Sequence, residues 1–147
     1  MITWTWRAWT ELSTDELYGL LRLRQVVFVV EQACPYLDAD GLDQGAWHLL
    51  GHDERGLMAY ARCFPPQACY PDAACIGRVV SSPSGRGQGL GRALMLQAIE
   101  GTQARWPGPI QLSAQAYLER FYGQLGFRVC GPGYLEDGIP HLPMRRD

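Results

Sequence analysis

The chain contains no lysine; all thirteen basic residues are arginine. Schiff-base chemistry, a pyridoxal anchor and a Walker-type phosphate loop each need that amine, so all three are excluded. Asparagine is absent too, which removes N-glycosylation acceptors and a Cys-His-Asn triad. No apolar run approaches the ~20 residues that span a bilayer. Trp4 and Trp6 alternate with polar neighbours where a signal peptide would carry its apolar core. A cytoplasmic protein with no membrane partner is therefore expected. The five cysteines (Cys34, Cys63, Cys69, Cys75, Cys130) form an odd set with no C-x-x-C pair. That suits reduced thiols better than a disulfide framework. A basic stripe is missing as well, and the net charge is -2, so nucleic acid is not an expected partner.

What is present is enough for a real core. With 147 residues, 47 % of them hydrophobic, one domain covering 1–147 is expected. Residues 74–104 organise it. Ile76, Val79 and Val80 read as a strand, and Pro83, Ser84 and Gly85 as a turn. From Leu90 the apolar residues recur at helical spacing, at Leu94 and Ala98 with Met95 and Ile99 beside them. Between strand and helix lie Gly85, Gly87, Gly89 and Gly91. The first N–H groups of a helix have no internal partner and sit at the positive end of its dipole. A glycine loop there lets a phosphate approach them, and Arg86 and Arg92 can fork onto its oxygens. The direct inference is a phosphate or diphosphate at the start of this helix. The other reading is a loop that merely needs unusual backbone angles.

Around that centre the chain alternates strands and helices. Residues 3–9 read as a half-buried strand. Ser13 and Glu16 make a capping box for a helix burying Leu17, Leu20 and Leu21, while the run Val26-Val27-Phe28-Val29-Val30 has no settled conformation. Residues 31–45 form an acidic loop. Its spacing Asp38-x-Asp40-Gly-x-Asp43 hints at a cation site, but the glycine and glutamate positions of a calcium loop are missing. The plainer reading is a solvated acidic loop, and a third is a substrate mouth that attracts a cation such as an amine. Residues 47–52 and 57–64 flank Asp53-Glu54-Arg55-Gly56 as a hairpin. His48 and His52 stand too far apart on a strand to share a metal, and no metal is expected. Residues 110–114 read as a strand, residues 117–125 as a short helix closed by Gly126, and residues 127–130 as a strand. A loop over residues 131–138 follows. Residues 141–146 read as a final edge strand limited by Pro143. The sum is a mixed α/β fold with helices packed on a twisted sheet.

A dinucleotide loop fails, because Gly87, Gly89 and Gly91 are spaced by two and no acid follows about 20 residues on. Arg86-Gly87-Gln88-Gly89-Leu90-Gly91 instead resembles the Q/R-x-x-G-x-G/A motif of GCN5-related N-acetyltransferases (GNAT). Phe121-Tyr122-Gly123-Gln124-Leu125-Gly126-Phe127 is similar to a second segment of that superfamily, F-Y-x-x-x-G-F. Blocks at residues 28–32, 34–36, 40–43, 76–80 and 135–141 resemble the bacterial ElaA-like subgroup.

The resemblance implies a single-domain GNAT fold, with a central, mostly antiparallel twisted sheet and helices on both faces. It implies acetyl-CoA as co-substrate and direct acetyl transfer to a primary amine of a small molecule or peptide. The diphosphate would sit on the amides of Gly87, Gln88, Gly89, Leu90, Gly91 and Arg92, with Arg86 beside them. The pantetheine arm would pair with Val79, Val80 and Ser81, and an N–H near Val80 would polarise the thioester carbonyl. Tyr122 would protonate the leaving thiolate. Many relatives carry an asparagine where this chain has Gln115, the corresponding cofactor contact. No acid lies on residues 76–82 to serve as base; Glu31, His48, Glu136, His141 or a water chain remain open. With Asp40 and Asp43 these residues make up the expected substrate end. A homodimer is left open. The alternative function is a non-catalytic acyl-CoA-binding or sensing module.

Overall fold

Ser13 starts the first helix as its spacing predicts. Its hydroxyl accepts from the Glu16 N–H at 3.0 Å, and the Glu16 carboxylate accepts from the Ser13 N–H at 2.9 Å. In the computed structural model, which describes residues 1–147, this helix is α1 (Thr14–Arg24). It does not end at Gln25. The stretch that the sequence leaves open continues as π-helical turns over Gln25–Glu31. Its four valines are poor α-formers, and such wide turns collect at functional sites.

Eight strands make one sheet: β1 (Thr3–Ala8), β2 (Trp47–Asp53), β3 (Gly56–Phe64), β4 (Ala74–Ser81), β5 (Ile110–Gln115), β6 (Arg128–Val129), β7 (Tyr134–Glu136) and β8 (Ile139–Arg146). Their order is β1-β2-β3-β4-β5-β8-β6, with β7 also on β8. Every neighbouring pair is antiparallel except β4 and β5. Two further helices follow the glycine loop and β5: α2 (Leu90–Arg105) and α3 (Glu119–Gly123).

Both faces of the sheet are covered. Leu50, Tyr60 and Val80 meet Leu20 and Leu23 of α1 and Val27 of the π-helical turns. Leu49, Ala59, Ala61 and Ile76 point the other way, onto Leu94, Met95, Ala98 and Ile99 of α2. Adjacent Leu49 and Leu50 thus serve opposite layers, as the period of a strand requires, and both are fully buried. Truncating a core leucine such as Leu94 to alanine costs about 2–5 kcal/mol.

Three expectations change at the C-terminal end. The helix expected over residues 117–125 is a 3₁₀ turn (Ala116–Leu118) followed by the short α3; Gly126 closes it at φ 93°. The expected loop over residues 131–138 contains β7. Asp137 and Gly138, at φ 51° and 76°, form a two-residue hairpin turn that sets Glu136 opposite Ile139. In consequence β8 is not an edge strand; β5 flanks it on one side, β6 and β7 on the other. Pro143 lacks an N–H, but its carbonyl still accepts from the Cys130 N–H at 2.9 Å, so the proline removes only one donor from the ladder.

Candidate active site

β4 and β5 pair only at Ala74–Ile110 and Cys75–Gln111, then part. Beyond that point the β5-facing edge of β4 has no strand partner, which makes it a template for an added extended chain. β4 also carries a bulge. Tyr60 opposes Val80 while Arg62 opposes Gly77, so β4 holds one extra residue there. Arg78 takes up the distortion at φ 48°. A non-glycine residue in that region costs roughly 1–3 kcal/mol, and its side chain is correspondingly anchored: Nε donates to Asp38 Oδ1 at 2.8 Å and Nη2 to the Asp38 carbonyl at 3.2 Å.

The parted strands open onto a cavity of about 750 Å³. Val79, Val80 and Ser81 line it from β4, and Leu112, Ser113 and Gln115 from β5. Tyr122 lines it from α3, with Phe121 beside it. Glu31, Asp40, Arg86, Gly91, Glu136 and His141 complete much of the wall. The Gln115 amide nitrogen donates to Gln32 Oε1 at 3.3 Å, which ties β5 to the turn after α1.

The glycine loop delivers a left-handed glycine cap to α2. Gly89 caps α2 at φ 73°, offers no side chain, and nothing lies within 4 Å of where a Cβ would stand. The first amides of α2 are therefore left without a side-chain cap. Gln88, Gly89 and Leu90 face a second groove beside the β2–β3 turn; Gly87 and Arg92 line neither hollow. Arg86 does not reach toward the loop amides. Its two terminal nitrogens donate to Glu31 at 2.8 and 2.7 Å.

Tyr122 is 6 % exposed and packs edge-on against Phe121 and Phe127. Burial pushes its phenol up to about 12, so it keeps its proton at neutral pH and can donate it.

The acids of the 38–43 loop are held by arginines: Asp38 and Asp43 are buried, while Asp40 stays exposed on the cavity wall. Arg24 donates to Asp38 Oδ2 and Asp43 Oδ1, each at 2.7 Å. Arg62 donates to Asp40 Oδ2 at 2.6 Å and to Asp43 Oδ1 at 3.0 Å. Arg78 completes the set from the bulge. Burial pulls the Asp43 carboxyl upward, but Arg24 and Arg62 outweigh it and hold it below the usual carboxylate range. Hydrogen bonds from Arg62 first, and charge from Arg62 and Arg78, hold Asp40 well below that range.

Asp43 and His48 therefore leave the expected substrate end. Asp43 is 6 % exposed and closed in by two arginines; His48 is fully buried. The His48 Nε2–H donates to the Asp43 carbonyl at 2.9 Å, while Nδ1 accepts from the Tyr60 hydroxyl. Burial lowers the His48 pKa, which keeps the ring neutral. Asp40 stays on the cavity wall, but with both carboxylate oxygens engaged by arginines. The spacing of the acids is visible in sequence; their partners at positions 24, 62 and 78 come from three separate elements.

Glu136 and His141 do share the cavity with Tyr122. His141 Nε2 lies 3.4 Å from Glu136 Oε2, and Nδ1 lies 2.7 Å from the Ile139 carbonyl. Tyr134 stacks on the imidazole, centroids 6.0 Å apart, and its hydroxyl is hydrogen-bonded to Ser113. Sequence reasoning missed Tyr134 and Ser113; the Asp137-Gly138 hairpin signal was the available clue. No helix is long and apolar enough to cross a membrane.

Comparison with known proteins agrees with this geometry. The family model described as an acetyltransferase (GNAT) domain matches residues 61–147, the part that carries the bulge, the glycine loop and Tyr122. Protein ElaA of Escherichia coli K12 is 43% identical over 150 residues, covering 100% of this chain and 97% of that protein. A UPF0039 protein of Synechocystis is 43% identical over 97% of this chain and 94% of its own length. Among solved structures, E. coli ElaA superposes with a TM-score of 0.93, covering 100% of both chains. An acyl-CoA N-acyltransferase from Pseudomonas aeruginosa gives 0.92 at 44% identity, covering 99% of both chains. The parted strands, the uncapped helix start and this kinship lead to one statement: the chain belongs to the GNAT acetyltransferase family and is ElaA-like.

Proposed function

We propose that this chain moves an acetyl group from acetyl-CoA to a primary amine of a small molecule or peptide in the cytoplasm, by direct attack on the thioester. The observation that carries the reading is the gap between β4 and β5 with Tyr122 on its wall. The residues present fit the acyl donor. The free edge of Val79, Val80 and Ser81 suits the amides of a pantetheine arm, as an added strand would. The amides of Gly87, Gln88, Gly89, Leu90, Gly91 and Arg92 suit a diphosphate, with Gln115 as a further contact on the β5 side. Acetyl-CoA supplies an activated acyl group; the chain aligns it, and an N–H near Val80 polarises its carbonyl. Tyr122 gives its proton to the sulfur that leaves. Glu31, Asp40, Glu136 and His141 form the acceptor's end of the cavity.

The test is thiol release from acetyl-CoA across a panel of primary amines, with acetyl-CoA binding followed by calorimetry. The reading expects binding and amine-dependent thiol release. Binding without thiol release on any amine identifies an acyl-CoA-binding module instead, and no binding overturns both.

A further inference from the structure

Four carboxylates line the cavity: Glu31, Asp40, Glu136 and Asp137. Arg86 takes Glu31, and Arg62 and Arg78 take Asp40. No arginine pairs with Glu136; its ionic neighbour is His141. That imidazole is 7 % exposed on β8. The Ile139 carbonyl, 2.7 Å from Nδ1, can only accept, so the neutral ring carries its proton on Nδ1. Nε2 keeps its lone pair, 3.4 Å from the Glu136 carboxylate. The groups around the ring are Glu136 and Tyr134 from β7 and, opposite it in register, Gln115 from β5. Only Glu136 among them is charged. Tyr134, itself tied to Ser113, holds the ring flat against it.

A carboxylate oxygen and a bare imidazole nitrogen side by side make two acceptors for one multivalent cationic donor. A primary ammonium has that shape and charge. The geometry points to Glu136 and His141 as the acceptor's ammonium site, with His141 Nε2 as the base that takes its proton. This rests on the amine-acetylation reading and deepens it: the acceptor arrives as a cation. Nε2 takes one proton from R–NH₃⁺, and Glu136 stabilises the imidazolium formed. The freed nitrogen lone pair attacks the thioester carbonyl carbon; the C–N bond forms and the C–S bond breaks. The leaving sulfur takes the phenolic proton of Tyr122, which recovers one from the new amide nitrogen. The proton on His141 passes to water. A cation and a thioester become a neutral amide, a thiol and one proton.

The experiment uses the full chain with acetyl-CoA and three probes: 1,4-diaminobutane, phenethylamine and a lysine-containing tripeptide. In His141→Gln, kcat falls about 100- to 1,000-fold, and the acetyl-CoA Kd is unchanged. In Glu136→Gln, whose exposed side chain puts folding at no risk, the negative charge that holds the ammonium is gone. KM for the cationic amine then rises about tenfold, and kcat falls too, by less than in His141→Gln, because the charge that steadies the imidazolium is gone. Nitrogen-15 NMR of the three histidines, assigned with His141→Gln, reads an Nδ1–H tautomer for His141. Adding 1,4-diaminobutane without acetyl-CoA moves its Nε2 resonance. The inference is overturned if His141→Gln keeps its kcat, if the proton sits on Nε2, or if 1,4-diaminobutane moves nothing. Absence of thiol release in the wild type sinks the amine-acetylation reading, while the NMR arm still decides whether the ammonium site exists.

Discussion

Arg86 and Glu31 grip each other at two points, nitrogen to oxygen at 2.8 and 2.7 Å, across 55 residues of sequence. One comes from the glycine loop and the other from the π-helical turn after α1, so the pair bridges the two lips of the cavity. Both side chains are well exposed, at 45 and 39 %, and such a surface pair is worth only about 0–1 kcal/mol. It can therefore open at little cost when a stronger anion arrives. Glu31→Gln should leave thermal stability nearly unchanged and free Arg86 for phosphate. Calorimetry should then find acetyl-CoA bound about two- to fivefold more tightly, a gain of roughly 0.4–1 kcal/mol, with a steeper salt dependence. Weaker binding would show that Glu31 serves the cofactor in some other way.

Tyr122→Phe should bind acetyl-CoA like the wild type but turn over about 100- to 10,000-fold more slowly, the range for loss of a positioned acid. The pH dependence has a definite sign. Burial pushes the phenol up to about 12, so its acid form persists throughout the neutral and mildly basic range. Any basic limb seen below pH 10 in the wild-type profile must belong to another group, and it should survive in Tyr122→Phe.

Asp43 is a stability residue, and its test is urea unfolding. Replacing it by asparagine takes one carboxylate from each of Arg24 and Arg62, which keep Asp38 and Asp40; the loss should cost about 1–3 kcal/mol at pH 7. Its folded-state pKa is depressed. Its stabilisation is therefore complete above the unfolded carboxylate value and is lost as pH falls below about 4 toward the folded value. Wild-type stability should drop over that range, and Asp43→Asn should drop less steeply.

Gly89→Ala separates strain from binding. The left-handed backbone at φ 73° costs alanine about 1–2 kcal/mol, which urea unfolding should register. The new methyl meets no protein atom within 4 Å. A loss of acetyl-CoA affinity greater than about tenfold, over 1.4 kcal/mol, would thus report a methyl in the path of the diphosphate. Unchanged affinity would move the anion site elsewhere on the loop.

Local signals in this chain were legible and distant ones were not. The Ser13 cap, the β2–β3 hairpin, the strand–glycine–helix passage into Leu90 and the place of Tyr122 all follow from residues within a few positions of each other. The role of the aspartates did not, because Asp38, Asp40 and Asp43 acquire their meaning only from Arg24, Arg62 and Arg78. Acid spacing alone cannot tell a solvated loop from one folded around three guanidinium groups. The same limit hid His48, whose partners are Tyr60 and the Asp43 carbonyl. It also hid the pairing of Arg86 with Glu31, which sequence distance alone does not suggest. The Asp137-Gly138 turn was a readable signal passed over, and with it went β7 and the flanked position of β8.

The separation of β4 from β5 leaves one row of main-chain groups without a protein counterpart. A bound acyl donor that fills the row becomes a structural member of the sheet. By mass action, a donor at a hundredfold above its Kd adds about 2.7 kcal/mol to the folded state. The lifetime of the polypeptide is then tied to the metabolic supply of its own reagent, so that a cell short of acyl donor would hold a softer, more readily degraded pool of it.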